Sequence, residues 1–476
     1  MTSRRDFVAG CGSAALLGAC TPRSGRTVND ISQLEATEVA GVVRVGEQAD
    51  LLDALARHSG PICVAGGRFS MGGQTSAAQA LQLDLSSYAG VVFLDVARKV
   101  VRVRAGTRWR DLQARLDPHD LSVKVMQSFS NFTVGGSVSV NCHGRYVGSG
   151  SLASTVRALQ VVLRSGEVLE TSRLSHPDLF AAVLGGYGLL GVVTEVELDL
   201  ADNVRMARCT ETISLEDYPV WFRRTVRDDP DAIMHNADLM PPRFDAPLAI
   251  TWYRSNAAMT DTTRLVPEGG RYATEQNMIW AMSELPGGVQ LRQQLVVEAQ
   301  LKQPRVVHRN LEASLDVAAL EPRTRAMSTY LLQEYFIPVE HFQMFARFMA
   351  RILQAHHANA LNISIRHAPA DHVALMPWAK QEVFCFVLYH KQRRLPWADD
   401  RAAEWTRALI DAALLCGGRY YLPYRPHATV DQFQRAYPEA SRLVDCKRTY
   451  DPKLQLVNHL WERYMSGLAG IPSGRT

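Results

Sequence analysis

Ser130-Asn131-Phe132-Thr133-Val134-Gly135-Gly136-Ser137-Val138-Ser139-Val140-Asn141-Cys142-His143-Gly144 combines a Gly-Gly pair, small hydroxyl residues and a terminal His-Gly. Glycine has no Cβ, so backbone there can approach a flat or anionic group closely. A second segment lies upstream, Ala65-Gly66-Gly67-Arg68-Phe69-Ser70-Met71-Gly72-Gly73-Gln74. It follows Pro61-Ile62-Cys63-Val64-Ala65, which reads as a buried strand. A glycine loop after a strand can cradle a pyrophosphate with its N–H groups. It is not a GxGxxG opening a helix, which weighs against a nicotinamide-binding Rossmann unit. The third segment is Leu184-Gly185-Gly186-Tyr187-Gly188-Leu189-Leu190-Gly191-Val192-Val193-Thr194. Each loop singly could be a turn; the ordered set asks for more.

Around these loops the chain reads as short strands with few helices. Gln48 to Ala56 and Asp111 to Leu116 predict helices, and Leu81–Asp84, Val91–Asp95 and Val100–Ala105 predict strands. Val156–Leu163 and Val192–Leu200 are strands flanking a helix, Pro177 to Leu184. Beyond Asp202 the pattern changes. Met240 to Glu275 reads as irregular and Gly287 to Leu301 as helical. Thr329 to Pro338, Asn362 to Arg366 and Val383–Tyr389 read as strands, with a long helix from Val339 to His356. A helix over Glu404–Leu415 ends at the cap Gly417-Gly418. This order predicts an antiparallel sheet covered by helices.

The 476 residues exceed one ordinary core, so at least two domains are expected. A net charge of +4 and the absence of a long Lys/Arg block give no reason to invoke nucleic acid. Of eight cysteines, Cys63, Cys142, Cys209, Cys385, Cys416 and Cys446 are scattered without CxxC or zinc spacing. The histidines form no HExxH, and His356-His357 reads as a polar helix face; no metal is implied.

Taken together, in this order, the three glycine segments resemble the FAD-binding domain of the vanillyl-alcohol oxidase superfamily. Within it they are most similar to the aldonolactone and alditol oxidases and decaprenylphosphoryl-ribose oxidase. The resemblance covers residues 40–205 and extends more thinly through Leu332-Gln333-Glu334-Tyr335-Phe336-Ile337-Pro338 and Gly417-Gly418-Arg419-Tyr420-Tyr421. It implies an α+β fold in three parts. A two-subdomain PCMH-type FAD-binding domain spans 39–205, and an antiparallel-sheet substrate or cap domain covered by helices spans 206–416. A C-terminal segment, 417–476, then returns to the FAD domain. It further implies that Gly66, Gly67, Arg68, Phe69, Ser70, Met71, Gly72 and Gly73 bind the pyrophosphate together with Gly135 and Gly136. Thr133, Ser139, Asn141 and Cys142 are further cofactor-binding residues on that resemblance, His143 and Gly144 pass beside the flavin ring, and Gly191 and Val193 meet the adenine end.

The chain departs from the family pattern at three positions. Phe69 stands where many members tether the flavin to a histidine, so the FAD is expected to be non-covalent. In Asn362-Ile363-Ser364-Ile365-Arg366 the arginine of a Glu-x-Arg strand is kept and the glutamate is Ser364. Arg366 suits stabilisation of the anionic reduced flavin near N1 and C2=O. Tyr424 stands where relatives carry a lysine near N1, with Arg425 and His427 beside it as alternative sources of charge. Cys385 falls where decaprenylphosphoryl-ribose oxidase has an active-site cysteine, although a buried core thiol is an equal reading.

These features imply an FAD-dependent oxidoreductase taking hydride from an alcohol carbon of a polyol, sugar or aldonolactone to flavin N5. His143, Tyr335 or Tyr424 would relay the hydroxyl proton, and oxygen or an electron carrier would reoxidise the flavin. The alternatives are an enzyme on a lipid-linked sugar and a flavin-binding lipoprotein without turnover. At the N-terminus, Arg4-Arg5 precedes the apolar run Val8 to Leu17 and then Leu17-Gly18-Ala19-Cys20. This predicts a twin-arginine export signal over 1–20 and a lipid anchor at Cys20 on the outer or periplasmic face of a bacterial membrane, with 21–38 as linker.

Overall fold

The structure is a computed structural model that describes residues 26–285, 288, 304–322 and 324–471. The signal expected over 1–20 lies outside these residues, as does most of the helix expected over Gly287 to Leu301. The architecture is α+β. Gly41–Arg44, Leu81–Asp84 and Ile62–Ala65 form a small parallel sheet, with Leu81–Asp84 in the middle. The helix Gln48–Arg57 makes the crossover between the first and third of these, burying Leu51, Ala54 and Leu55. A six-stranded antiparallel sheet follows, with Val192–Asp202 paired to Val156–Val162, Val100–Arg104 and Leu121–Val123. The glycine segments run between these two sheets.

The second half is an eight-stranded antiparallel sheet. Three of its strands, Ala360–Ala368, Val383–Arg393 and Ser328–Pro338, are paired side by side. The alternation of side chains separates two faces. Ile363, Ile365, Phe384, Phe386, Tyr335 and Ile337 turn to the helix side, where Phe342–Ala355 buries Phe342, Phe345, Ala346, Met349, Ala350 and Leu353 at helical spacing. The other face closes the cavity described below. Pro396–Leu415 begins two turns earlier than the sequence suggests, because Pro396 at the first helical position has a suitable φ and no N–H to lose. It ends where Gly417 takes φ +70° and the Gly418 N–H reaches the Ala413 carbonyl.

Two expectations need correction. Within the stretch read as linker, Arg26–Val28 pairs with Thr37–Val39, and Asp30, Ser32 and Thr37 are buried against the first glycine turn. Polar composition here reflects internal hydrogen bonding. Within Met240 to Glu275, Leu248–Arg254 is an interior strand between Arg205–Thr212 and Ala232–Leu239. Its residues are buried on both faces, so it lacks the alternation that betrays a strand. The C-terminal segment runs back along the small sheet, where the Ile62 N–H donates to Gln455 and the Ile62 carbonyl accepts from Val457. All six described cysteines are free thiols. No helix among the described residues is long and apolar enough to cross a membrane.

Candidate functional site

The strand Ile62–Ala65 delivers the chain to Gly66, and the next five amides are open. The N–H groups of Gly66, Gly67, Arg68, Phe69 and Ser70 donate to no group among the described residues. Arg68 takes φ +57°, and its guanidinium turns back to Asp84 (2.9 Å) and Gln82 (2.7 Å). A Cβ on Gly66 would fall 2.4 Å from the Thr133 hydroxyl, so the two glycine segments touch here. The far end of the turn behaves differently from expectation. The amides of Met71, Gly72 and Gly73 are already engaged by the Pro423 carbonyl, the Gln74 side chain and Asp30. These three residues shape the turn and offer no donors to a ligand.

The second segment is corrected in the same way. The Gly135 N–H donates to the Ala105 carbonyl (2.8 Å) and the Gly136 N–H to Thr133 Oγ1 (3.3 Å). Gly135 is instead required by packing, since a Cβ there would sit 2.6 Å from Ala105 Cβ. Asn141 takes φ +49°, donates to Asp371 (2.7 Å) and accepts from the Ala153 N–H (3.0 Å). It ties this segment to the second half of the molecule and does not face the cofactor cleft. Gly136, Ser139, Tyr187, Gly188, Gly191 and Val193 do line that narrow cleft, together with Ala65, Gly66 and Ser70.

The cleft opens into a cavity of about 420 Å³ walled by both glycine segments and by the open face of the large sheet. Two rows of that sheet decide its chemistry. Arg366, Cys385 and Phe336 lie side by side, and so do Ser364, Val387 and Glu334. Ser364 stands where the resemblance implies a carboxylate, and the cavity has one in the same row, two strands over, about 10 Å away at ordinary strand spacing. Glu334 is buried. Its Oε2 is 2.7 Å from His143 Nε2, and its Oε1 accepts the Tyr424 hydroxyl at 2.6 Å. Burial alone would raise this carboxyl, but His143, Arg366 and Tyr424 hold it below the usual carboxylate range. Burial and the Glu334 charge push Tyr424 well above the ordinary phenol value. Glu334 was missed as a site residue because it carries no motif; the signal was a lone acid in the apolar strand Ser328–Pro338.

Other residues are repositioned. Arg366 lines the cavity with its buried Nε unpartnered. Tyr335 is on the opposite face, its ring against Phe345 and its hydroxyl buried without a partner, so it cannot serve the cavity. Cys385 sits among Phe336, Ala368, Trp378 and Tyr421 behind the wall, with its thiol pushed well above the ordinary value by burial. Cys142 lines the cavity, but burial pushes its thiol up to about 12. Arg425 is spent on Glu35 and Asp399, and His427 lies beside Asp399, so neither supplies a charge to the cavity. The outer walls are apolar. Phe69 packs on Phe132 (4.3 Å between centroids), and Ile279, Met282, Leu315, Leu320 and Leu332 continue the surface.

Five open amides beside a glycine cradle suit a dianionic pyrophosphate, and a guanidinium with a buried, unpartnered Nε suits an electron-rich ring. The comparisons with known proteins agree. Residues 37–172 match the family described as FAD binding domain. The chain is 28% identical over 173 residues to L-gulonolactone oxidase of Mus musculus, covering 36% of this chain and 39% of that protein. It is 26% identical over 206 residues to cytokinin dehydrogenase 2 of Arabidopsis thaliana, covering 42% and 38%. It is 22% identical over 409 residues to decaprenylphosphoryl-beta-D-ribose oxidase of Mycolicibacterium smegmatis, covering 78% and 82%. The first two matches span less than half of either relative's length. The cofactor is FAD, and residues 37–172 form a domain similar to the FAD binding domain family.

Proposed function

We propose that the protein is an FAD-dependent oxidoreductase that oxidises an alcohol carbon of a polyol, sugar or aldonolactone, in a two-subdomain PCMH-type arrangement. The observation that carries this reading is the cavity itself, where the open amides of Gly66 to Ser70 meet His143, Glu334, Tyr424 and Arg366. Bound FAD supplies a two-electron acceptor at N5 for a hydride from the substrate carbon. The protein contributes the rest. Gly66 to Ser70 would hold the pyrophosphate, and the His143-Gly144 turn would lie along the ring. The Arg366 cation favours the charge that accumulates on reduction. Glycine packing and the apolar walls exclude water from the reacting carbon.

A second reading, an alcohol on a lipid-linked sugar, is favoured by the apolar outer cavity, which gives a free polyol few partners. Both are tested by anaerobic mixing of the yellow protein with L-gulono-1,4-lactone, D-arabinono-1,4-lactone, xylitol and an octyl riboside. Bleaching by the small alcohols supports the first reading, and bleaching by the octyl riboside alone supports the second. A protein that no alcohol bleaches, while dithionite does, is not an alcohol oxidoreductase. Since Phe69 cannot bond to flavin, acid precipitation is expected to leave the yellow colour in the supernatant. We also propose that residues 1–20 direct export and that Cys20 is lipidated, on the strength of Arg4-Arg5 and Leu17-Gly18-Ala19-Cys20. Fractionation of wild type and Cys20→Ala tests this, and an unchanged membrane fraction argues against the anchor.

A further inference from the structure

Among the described residues, Glu334 is the one carboxylate on the cavity wall that touches two candidate proton carriers at once. Its own exposure is 4%, so a substrate hydroxyl cannot reach it directly. Tyr424 is half-buried and lines the cavity. A phenol that donates to a carboxylate keeps a lone pair on its oxygen, which can accept a proton from another hydroxyl. The groups facing Glu334 are His143 and Cys142 on the second glycine segment, Tyr187 on the third, Tyr421 and Tyr424 on the C-terminal segment, and Arg366 and Cys385 on neighbouring strands.

We propose that Glu334 is the proton acceptor of the alcohol oxidation, reached through the Tyr424 hydroxyl and held in place by His143. The proposal rests on the alcohol-oxidising reading above. In the step, the substrate C–H leaves as hydride to FAD and the carbonyl forms. The substrate O–H proton passes to the Tyr424 oxygen, and the proton that Tyr424 already donates passes to Glu334 Oε1. One hydride and one proton leave the alcohol, and Tyr424 ends as it began. No tyrosinate has to form, which agrees with a phenol that burial keeps protonated. Glu334 ends as a neutral acid still bonded to His143 and loses its proton when the flavin is reoxidised by the electron acceptor of the reaction. The glutamate absent at Ser364 and the lysine absent at Tyr424 are thereby replaced by one acid–phenol pair on different elements.

Glu334→Gln is the informative variant, because an amide still accepts from Tyr424 and reaches His143 but has lost its basicity. The expected result is unchanged FAD content and melting temperature, with anaerobic reduction by the best alcohol slowed on the order of 10²-fold or more. Its rate should rise with pH through neutrality as substrate alkoxide takes over, while the wild-type rate stays level there. Infrared difference spectra should show a protonated carboxyl appearing on reduction of the wild type and missing from Glu334→Gln. If Glu334→Gln fails to hold FAD, Tyr424→Phe carries the test with the same expected loss of rate and of the carboxyl signal. Wild-type-like reduction and pH profile in the variant that holds FAD overturn the proposal while leaving the alcohol reading intact. Failure of every alcohol to reduce the wild type overturns both.

Discussion

Tyr335 and Tyr424 show how much one position along a strand, or one partner, changes what a phenol can do. The two are on different elements, and both flank Glu334, Tyr335 as its neighbour on the strand and Tyr424 as its hydrogen-bond donor. Tyr424 meets Glu334 and the cavity; Tyr335 points to the helices with its hydroxyl unpaired. An unpaired buried hydroxyl is a cost, so Tyr335→Phe should leave flavin reduction within twofold of wild type. It should raise stability by up to about 1 kcal/mol. Denaturant unfolding and anaerobic reduction measured on the same preparation check both halves. A large loss of reduction rate in Tyr335→Phe would return that residue to the mechanism.

At the scale of the element, the short helix Val134–Ser139 is placed by absence of side chain. Thr133 caps it, and Gly135 packs on the Ala105 backbone and Cβ. Gly135→Ala puts a methyl group 2.6 Å from Ala105 Cβ, a distance that only a shift of the helix can relieve. Overpacking of this kind costs about 1–3 kcal/mol. Because the helix lies across the Gly66 turn, the larger effect should be on the cofactor. The expected outcome is a lower FAD-to-protein ratio after purification, together with a lower melting temperature. A variant that retains full FAD occupancy would show that the Gly135 contact is not what sets the cleft.

Across the whole molecule, stability should fall on the acid side well before ordinary carboxylates titrate. Burial pushes His235 and His390 down to about 3, and His235 is fixed between the Tyr218 and Thr251 hydroxyls at 2.8 Å. In the unfolded chain the same imidazoles protonate from about pH 6.5. Between those values the unfolded state binds more protons than the folded one. Stability is therefore fully present above pH 6.5 and is lost progressively as pH falls toward 3. Melting curves from pH 7.5 to 5 should show a steady decline, and a flat profile over that range would contradict neutral burial of these histidines.

The sequence by itself determined the elements and the cofactor. Glycine spacing, strand alternation and the helical spacing of Phe342, Phe345, Ala346 and Met349 are local, and they survive without knowledge of what packs where. They point to Gly66–Ser70, His143 and Arg366, which the fold brings to the wall of one cavity. The interior strand Leu248–Arg254 was not legible, because burial on both faces removes its alternation. Nor was the structured stretch from Arg26 to Thr37, whose polar residues find partners only in the folded chain. Tertiary structure alone decided which amides of the glycine turns are open, since the donors of Met71, Gly72, Gly73 and Gly135 are consumed by distant groups. It also decided where the carboxylate of the site comes from. Glu334 and Ser364 are thirty residues apart in the chain and share a row only through the strand between them, and that register is a property of the sheet.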